Sequence, residues 1–387
     1  MFSARHPLWL VGFRPFFSLA CLAGIVLPLL WILIFSGTIS LPQGSLDPIR
    51  WHAHEMFYGF GWAVLGGFLL TSTKNWVNVR GHHGRSLMLL AAAWLFERAT
   101  LAWGGAWPSA IALVGSYLFI GGIATLLLST LVRHREQDSY RADNRFFLIM
   151  LPAFLVAKTW LLFGADLHTA YRMSLALFRL AFLVMLERTL TQFMKAAFQI
   201  QILRTPKLDL PIKLLGLMLV LDFAFPDMLT IGLSLALATL LLIRLTRWAP
   251  LRACTRIDIG IMFVGYLAIV GQLLLDAAQR GVGITAVGSV AVHLFTFGAM
   301  GCVIPAMIVR IANGHTGRKV VFQPADKAVL WLMLAALGVR IVLPQRFPAQ
   351  YLACIHAAAT FWAIAFAILA VRYIPILMQA RIDGREH

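Results

Sequence analysis

The sequence predicts an all-α fold, a polytopic transmembrane helical bundle of twelve spans with both termini in the cytoplasm. Three observations carry that prediction. Of 387 residues, 60% are hydrophobic and 13% charged, with mean hydropathy +0.81. A soluble domain carries about 25% charged residues, so this chain cannot clothe a globular surface in polar groups. The apolar residues come in runs of roughly 20, the length a helix needs to cross about 30 Å of hydrocarbon. Finally, Lys and Arg alternate between connections: the two termini and every second connection, counted with the span ends that flank them, hold 23 of the 33, whereas the others hold only Arg50, Arg280 and Arg346. Basic residues gather on the cytoplasmic side, which sets the orientation.

In order, the spans fall at 16–36, 51–72, 87–103, 109–132, 146–164, 168–187, 211–225, 228–247, 257–278, 286–310, 327–343 and 350–378. Backbone polar groups in lipid must be satisfied internally, so these segments are helices; a barrel would show alternating segments of about ten residues. The basic start, Met1 to Arg14, runs into an apolar stretch that continues past Ala20 and Ala23, the pattern of a retained first span. The seventh span is short, and the twelfth is long enough to tilt. Residues 1–387 form a single integral membrane domain, with halves at about 1–187 and 211–387 joined by the longest connection. Within it, 188–203 reads either as a cytoplasmic extension of helix six or as an interfacial helix. No internal repeat is evident between the halves.

The net charge of +17 follows from this loop chemistry and does not mark a nucleic-acid partner, since no basic domain lies outside the bilayer. Cys21, Cys254, Cys302 and Cys354 stand alone, so no zinc ribbon, dithiol or covalent c-type haem motif is present.

Ionisable groups inside a bilayer are costly and mark candidate sites. Topology sorts the eleven histidines: His6, His82, His83, His134, His315 and His387 on the cytoplasmic side, and His52, His54, His168, His293 and His356 in or near the outer half. By helix rise, His54, His356 and His293 lie roughly 5, 9 and 11 Å below the outer ends of helices two, twelve and ten, so they could converge. Imidazoles without cysteines suit haem iron or copper, against the plainer reading in which each satisfies a nearby carbonyl. The densest stretch is Trp51-His52-Ala53-His54-Glu55-Met56. Two histidines two apart on a regular helix project about 200° apart, so they serve different partners unless the first turn is irregular. Tyr58 shares a face with His54 and is read as a proton or electron donor or as an interface anchor. Glu55 either delivers protons, or binds a second metal, or pairs with Arg50 or Arg346. Gly59, Ala63 and Gly67, like Gly298 and Gly301, serve close packing of helices or of a porphyrin. The turns at 80–85 and 314–319 need only glycines and cations facing the anionic leaflet. His315 is about 33 Å along a straight helix from His293, too far to share its metal.

Phe13-Arg14-Pro15-Phe16-Phe17, WHAHEM at 51–56, the stretch HLFTFGAMG at 293–301 leading to GHTGR at 314–318, and Arg381-Ile382-Asp383-Gly384-Arg385 resemble the NnrS family, in order along the whole chain. The resemblance implies a bacterial inner-membrane protein with haem and copper, linked to denitrification and defence against nitrosative stress. The motif histidines it carries over are His52, His54, His293 and His315, with Arg318 beside the last; His356 lies outside the motifs. It brings no ligand assignment. By depth, His52, His54, His293 and His356 are the metal candidates.

The resulting expectation is an oxidoreductase that reduces nitric oxide to nitrous oxide. It would use a non-covalent b-type haem and copper or a second iron, with electrons from quinol or a periplasmic donor. Glu55 and Tyr58 would supply protons, and Arg50 or Arg346 would meet haem propionates. Two rivals stand beside it. A twelve-helix proton-coupled transporter would use the intramembrane charges Glu55, Lys158, Arg172 and Asp276, and a non-catalytic nitric oxide sensor or metal-handling protein would use the same ligands.

Overall fold

The computed structural model describes residues 3–41, 46–202 and 204–385; His387, placed with the cytoplasmic histidines above, lies outside them. Among the described residues the chain is helical, with no strand. The helices are α1 (Phe13–Phe35), α2 (Pro48–Trp76), α3 (Arg85–Trp103), α4 (Ser109–Arg133), α5 (Arg141–Phe163), α6 (Leu167–Phe198), α7 (Pro206–Met218), α8 (Asp227–Thr246), α9 (Ile257–Val282), α10 (Val290–His315), α11 (Pro324–Ile341) and α12 (Tyr351–Leu377). All but α7 are long and apolar enough to cross a membrane, eleven candidate spans in place of twelve.

The difference lies at the seventh predicted span. There α7 gives way to a 3-10 segment, Leu219–Ala224, with a non-helical residue at Leu221 (φ −101°, ψ 23°). Pro206 and Pro211 lie in the first turns of α7, and Lys207, Asp209 and Lys213 interrupt its apolar run. The longest element is α6, 32 residues to Phe198, so residues 188–198 continue helix six.

Helix ends follow local chemistry. Asp47 caps α2, its carboxylate accepting from Arg50 N at 3.0 Å, with Pro48 at the first helical position. Gln323 and Asp326 form a reciprocal capping box on α11. Gly283 closes α9 in the left-handed region at φ +66°.

Two helices depart from α geometry in mid-course. In α2 the α-helical turn Pro48–His54 is followed by a π-helical segment, Glu55–Gly61; in α10 the turn Val290–His293 is followed by another, Leu294–Met300. In both, a histidine is the last α residue and a glycine follows five positions later, His54 with Gly59 and His293 with Gly298. Five residues is the repeat of an i→i+5 ladder.

The residues form two compact units: 1–167 with 307–321 and 366–387, and 168–306 with 322–365. In the first, α1 lies tightly on α2, where a Cβ on Gly67 would sit 2.7 Å from Phe16 Cβ and one on Gly12 2.5 Å from Leu70 Cβ. In the second, α9 meets the π segment of α10 so closely that a Cβ on Gly298 would lie 2.4 Å from Ala268 Cβ. A Cβ on Gly301 would lie 2.8 Å from both Met333 and Trp362. Side-chain packing therefore accounts for these glycines.

Candidate functional site

His54, Glu55, Tyr58, Glu97, Arg98 and Lys158 form one polar cluster in the first unit, buried among apolar side chains. The α-to-π transition in α2 places His54 (0% exposed) and Glu55 (2%) side by side, with Nδ1 of the imidazole 3.1 Å from Glu55 Oε1. The other oxygen of Glu55 takes Arg98 Nε at 3.0 Å, and Arg98 Nη2 lies 3.1 Å from Glu97 Oε2. Glu97 Oε1 accepts from Lys158 Nζ and faces His54 Nε2 at 3.5 Å. Two carboxylates and two cations thus surround a single imidazole. A buried charge is tolerated only when paired, and each of these has a partner of opposite sign.

Tyr58 adds an aromatic wall. Its ring centroid is 5.4 Å from that of His54, Lys158 Nζ lies 5.5 Å over its ring, and its hydroxyl donates to Phe154 O at 3.4 Å. Trp94 Nε1 donates to Gly59 O at 2.9 Å, tying α3 to the π segment. At Gly59 itself, a Cβ would lie 3.0 Å from Glu55 Oε2, so a side chain there would press on the carboxylate.

The remaining sequence candidates divide between the units. His52 is half-buried and stacks on Trp31, ring centroids 4.1 Å apart and planes within 16°, so the two WHAHEM histidines meet different surroundings. Arg50 is engaged by Asp47 Oδ2 at 3.0 Å and by the carbonyls of Leu161 (2.8 Å) and Gly164 (3.0 Å), the C-terminal end of α5. The partner of Glu55 is therefore Arg98. Arg50, five residues earlier on α2, projects about 140° away on an α-helix.

In the second unit, Nδ1 of His293 donates to Ser289 O at 2.8 Å, and Arg340 Nη2 lies 3.2 Å from Nδ1 and 3.5 Å from Nε2. His356 is half-buried there, and its Nε2 is enclosed without a hydrogen-bond partner.

His315 and Arg318 belong to a separate junction in the first unit. The His315 ring lies 5.4 Å from that of Phe13, and its carbonyl accepts from Arg381 Nη1 at 3.0 Å. Arg318 Nη2 donates to Gln379 Oε1 at 3.1 Å, and Arg14 Nη1 donates to the carbonyls of Leu377 (2.9 Å) and Gln379 (2.6 Å). Gly317, at φ +79°, leaves no room for a Cβ, which would meet Asp383 Cγ at 2.9 Å. Hydrogen bonding to Arg381 holds the Asp383 carboxyl down at about 2. The first, GHTGR and C-terminal motifs thus form one structural knot.

Glu97, Arg98 and Lys158 emerge as site residues only in three dimensions. In sequence Lys158 reads only as one of several intramembrane charges, and the adjacent Glu97 and Arg98 have no motif around them; an ionisable residue within a span was the one available signal.

The residues can be tested against a haem or copper centre on their donors. Nε2 of His54 and Nε2 of His356 are both buried without a hydrogen-bond partner, as a ligating nitrogen is in the absence of its metal. Glu55 holds Nδ1 of His54 and the Ser289 carbonyl holds Nδ1 of His293, the outer contact by which metal-binding histidines are oriented. Among the described residues no three His, Cys, Asp or Glu side chains are grouped to hold a metal ion. Haem iron takes four nitrogens from its porphyrin and needs only axial histidines, so this donor set fits haem. For a copper ion the cluster offers two donors, His54 Nε2 and Glu97 Oε1. Their separation of 3.5 Å is close to the roughly 3.4 Å between tetrahedral ligands at about 2.1 Å from one ion. Any ligand at His54 Nε2 has to move the Glu97–Lys158 pair.

Among curated proteins no significant match was found. A family model described as NnrS protein matches residues 7–381, nearly the full length, and the chain belongs to the NnrS family.

Proposed function

We propose that this protein is a multi-pass protein of the bacterial inner membrane, both termini cytoplasmic, that removes nitric oxide by metal-centred reduction to nitrous oxide. The observation that supports this most is the His54 cluster: an imidazole with Nδ1 fixed by a carboxylate, a buried and unbonded Nε2, and a second carboxylate 3.5 Å beyond it. The reaction joins two nitric oxide molecules, two electrons and two protons to give nitrous oxide and water. The electrons come from quinol or a periplasmic donor.

A b-type haem held by His54 or His293, with copper or a second iron beside it, would bind nitric oxide and carry those electrons. The protein's own groups do the rest. Glu55 keeps the Nδ1–H tautomer of His54 and directs Nε2 away from itself, an orienting role that its pairing with Arg98 reinforces. Glu97 is the carboxylate nearest Nε2, and the Lys158 ammonium on the same oxygen is the group that can give a proton there. Tyr58 and the apolar wall around it exclude water from the imidazole. Nitric oxide, small and apolar, reaches the cluster through lipid.

Nitric oxide consumption by the haem-loaded protein in vesicles, given a chemical reductant, tests this reading. The expected result is consumption above that of empty vesicles, with nitrous oxide as product, lost in His54→Ala. Consumption equal to empty vesicles would contradict it.

A second reading, proton-coupled transport, draws on the paired charges of the other unit. There Asp222 pairs with Arg172 and with Arg280 (3.1 Å), and Asp276 with Arg280 (3.3 Å). Solute-driven acidification of vesicles without haem would favour that reading instead.

A further inference from the structure

The second unit holds a polar cavity of about 200 Å³ between α6, the 3-10 segment after α7, α8, α9 and the turn before His293. Asp222 and Asp276 line it and are held in direct ion pairs, with Arg172, which also lines it, 3.6 Å from Asp276, and with Arg280, outside the lining, 3.1 Å from Asp222 and paired with Asp227 as well. Arg179, further along α6, is different. It lines the cavity, is 5% exposed, and among the described residues has no carboxylate within ion-pair distance. Nη1 donates to the neutral Gln272 Oε1 at 2.8 Å, and Nε is buried with no hydrogen-bond partner.

A guanidinium with no carboxylate in direct contact is costly in this setting. Arg179 stands twelve residues from the start of α6, about 18 Å along it, and Gln272 ten residues from the end of α9, about 15 Å. Both positions approach the middle of a hydrocarbon layer about 30 Å thick. An intramembrane cation there is expected to have a direct partner, and among the described residues the side chain in direct contact is an amide, with Asp222 and Asp276 in the same lining but engaged by Arg172. The planar fork of arginine matches planar oxyanions in preference to spherical ions. The cavity is smaller than the roughly 300–1,000 Å³ of sites for drug-sized ligands, which limits the occupant to a few heavy atoms.

We propose that this cavity binds a small monovalent planar oxyanion, of the nitrate or carboxylate class, with Arg179 as the charged residue that holds it and Gln272 beside it. The site belongs to the second unit, and the proposal does not depend on the nitric oxide reading.

Calorimetric titration of the purified full chain with sodium nitrate and sodium formate, with sodium chloride as control, tests the proposal. Saturable binding of nitrate and formate is expected, with chloride at least about tenfold weaker. Arg179→Gln is expected to weaken binding by at least about 30-fold, the loss typical of truncating one member of a buried charge pair. Should Arg179→Gln fail to fold, Gln272→Glu decides. It places a carboxylate against Arg179, so that variant is expected to fold and to lose nitrate binding. Binding unchanged in Gln272→Glu, equal affinity for chloride, or no saturable binding of either oxyanion below about 10 mM would each overturn the proposal.

Discussion

Lys158 and Glu97 are both fully buried and pair with each other, with Arg98 and the His54 imidazole beside Glu97 and the Tyr58 ring beside Lys158. Removing one member of such a pair leaves the other charge uncompensated, at about 3–5 kcal/mol, whereas replacing both with groups of similar size is often neutral. Lys158→Met is therefore expected to lower thermal stability sharply, and Glu97→Gln added to it to restore much of the loss. A double variant no more stable than the single would show that the pair is not the unit of stability. At the edge of the first unit, His82 Nε2 lies 3.0 Å from Thr130 Oγ1, and burial pushes its pKa below the ordinary 6.5, partly opposed by a hydrogen bond to the Leu126 backbone. A lowered folded-state value means the stability it lends is present above the unfolded pKa and lost as pH falls towards the folded one. The thermal midpoint should then drop between about pH 7 and pH 5 more in the native protein than in His82→Gln, which does not titrate. Identical pH profiles would remove His82 from the account.

Of the elements, the two π segments say most about what a sequence reveals. Composition and hydropathy locate α2 and α10 as spans, but a hydropathy window has no access to an added backbone residue. The only trace is the shared five-residue interval from His54 to Gly59 and from His293 to Gly298, and that interval has meaning only once the i→i+5 geometry is seen. Gly298 shows why the interval needs glycine. Alanine would gain up to about 1 kcal/mol in helix propensity, but its Cβ would stand 2.4 Å from the Ala268 Cβ, which cannot rotate away. Overpacking of this kind costs about 1–3 kcal/mol, so the clash wins. Gly298→Ala should lower the thermal midpoint, and an unchanged midpoint would mean that α9 and α10 slide apart freely. The broken α7 was legible only in part: the seventh span reads as short and Lys213 interrupts it, but Leu219–Ala224 is as apolar as the helix it ends, and only its backbone angles mark the break. Partners of buried charges were hidden too, because Glu97 and Lys158 are 61 residues apart and meet only through the packing of α3 and α5.

At the scale of the whole molecule, composition alone made the membrane class legible, and family motifs spread from Phe13 to Arg385 made the lineage legible. Orientation rests on the distribution of basic residues, and it predicts that topology reporters fused to either terminus report the cytoplasmic side. Both ends on the cytoplasmic side require an even number of crossings, so α7 with the 3-10 segment after it would have to complete a twelfth; reporters on opposite sides would leave the eleven long helices as the crossings. The central claim is that His54 and His293, each with Nδ1 against an oxygen acceptor, hold a redox cofactor. It is tested most directly by an optical spectrum with metal analysis of the purified protein, oxidised and reduced, beside His54→Ala and His293→Ala. A stoichiometric Soret band that shifts with nitric oxide, and is lost in at least one of the two variants, is the predicted result. No haem and no metal in protein from cells able to supply both, or haem content unchanged in both variants, would contradict it.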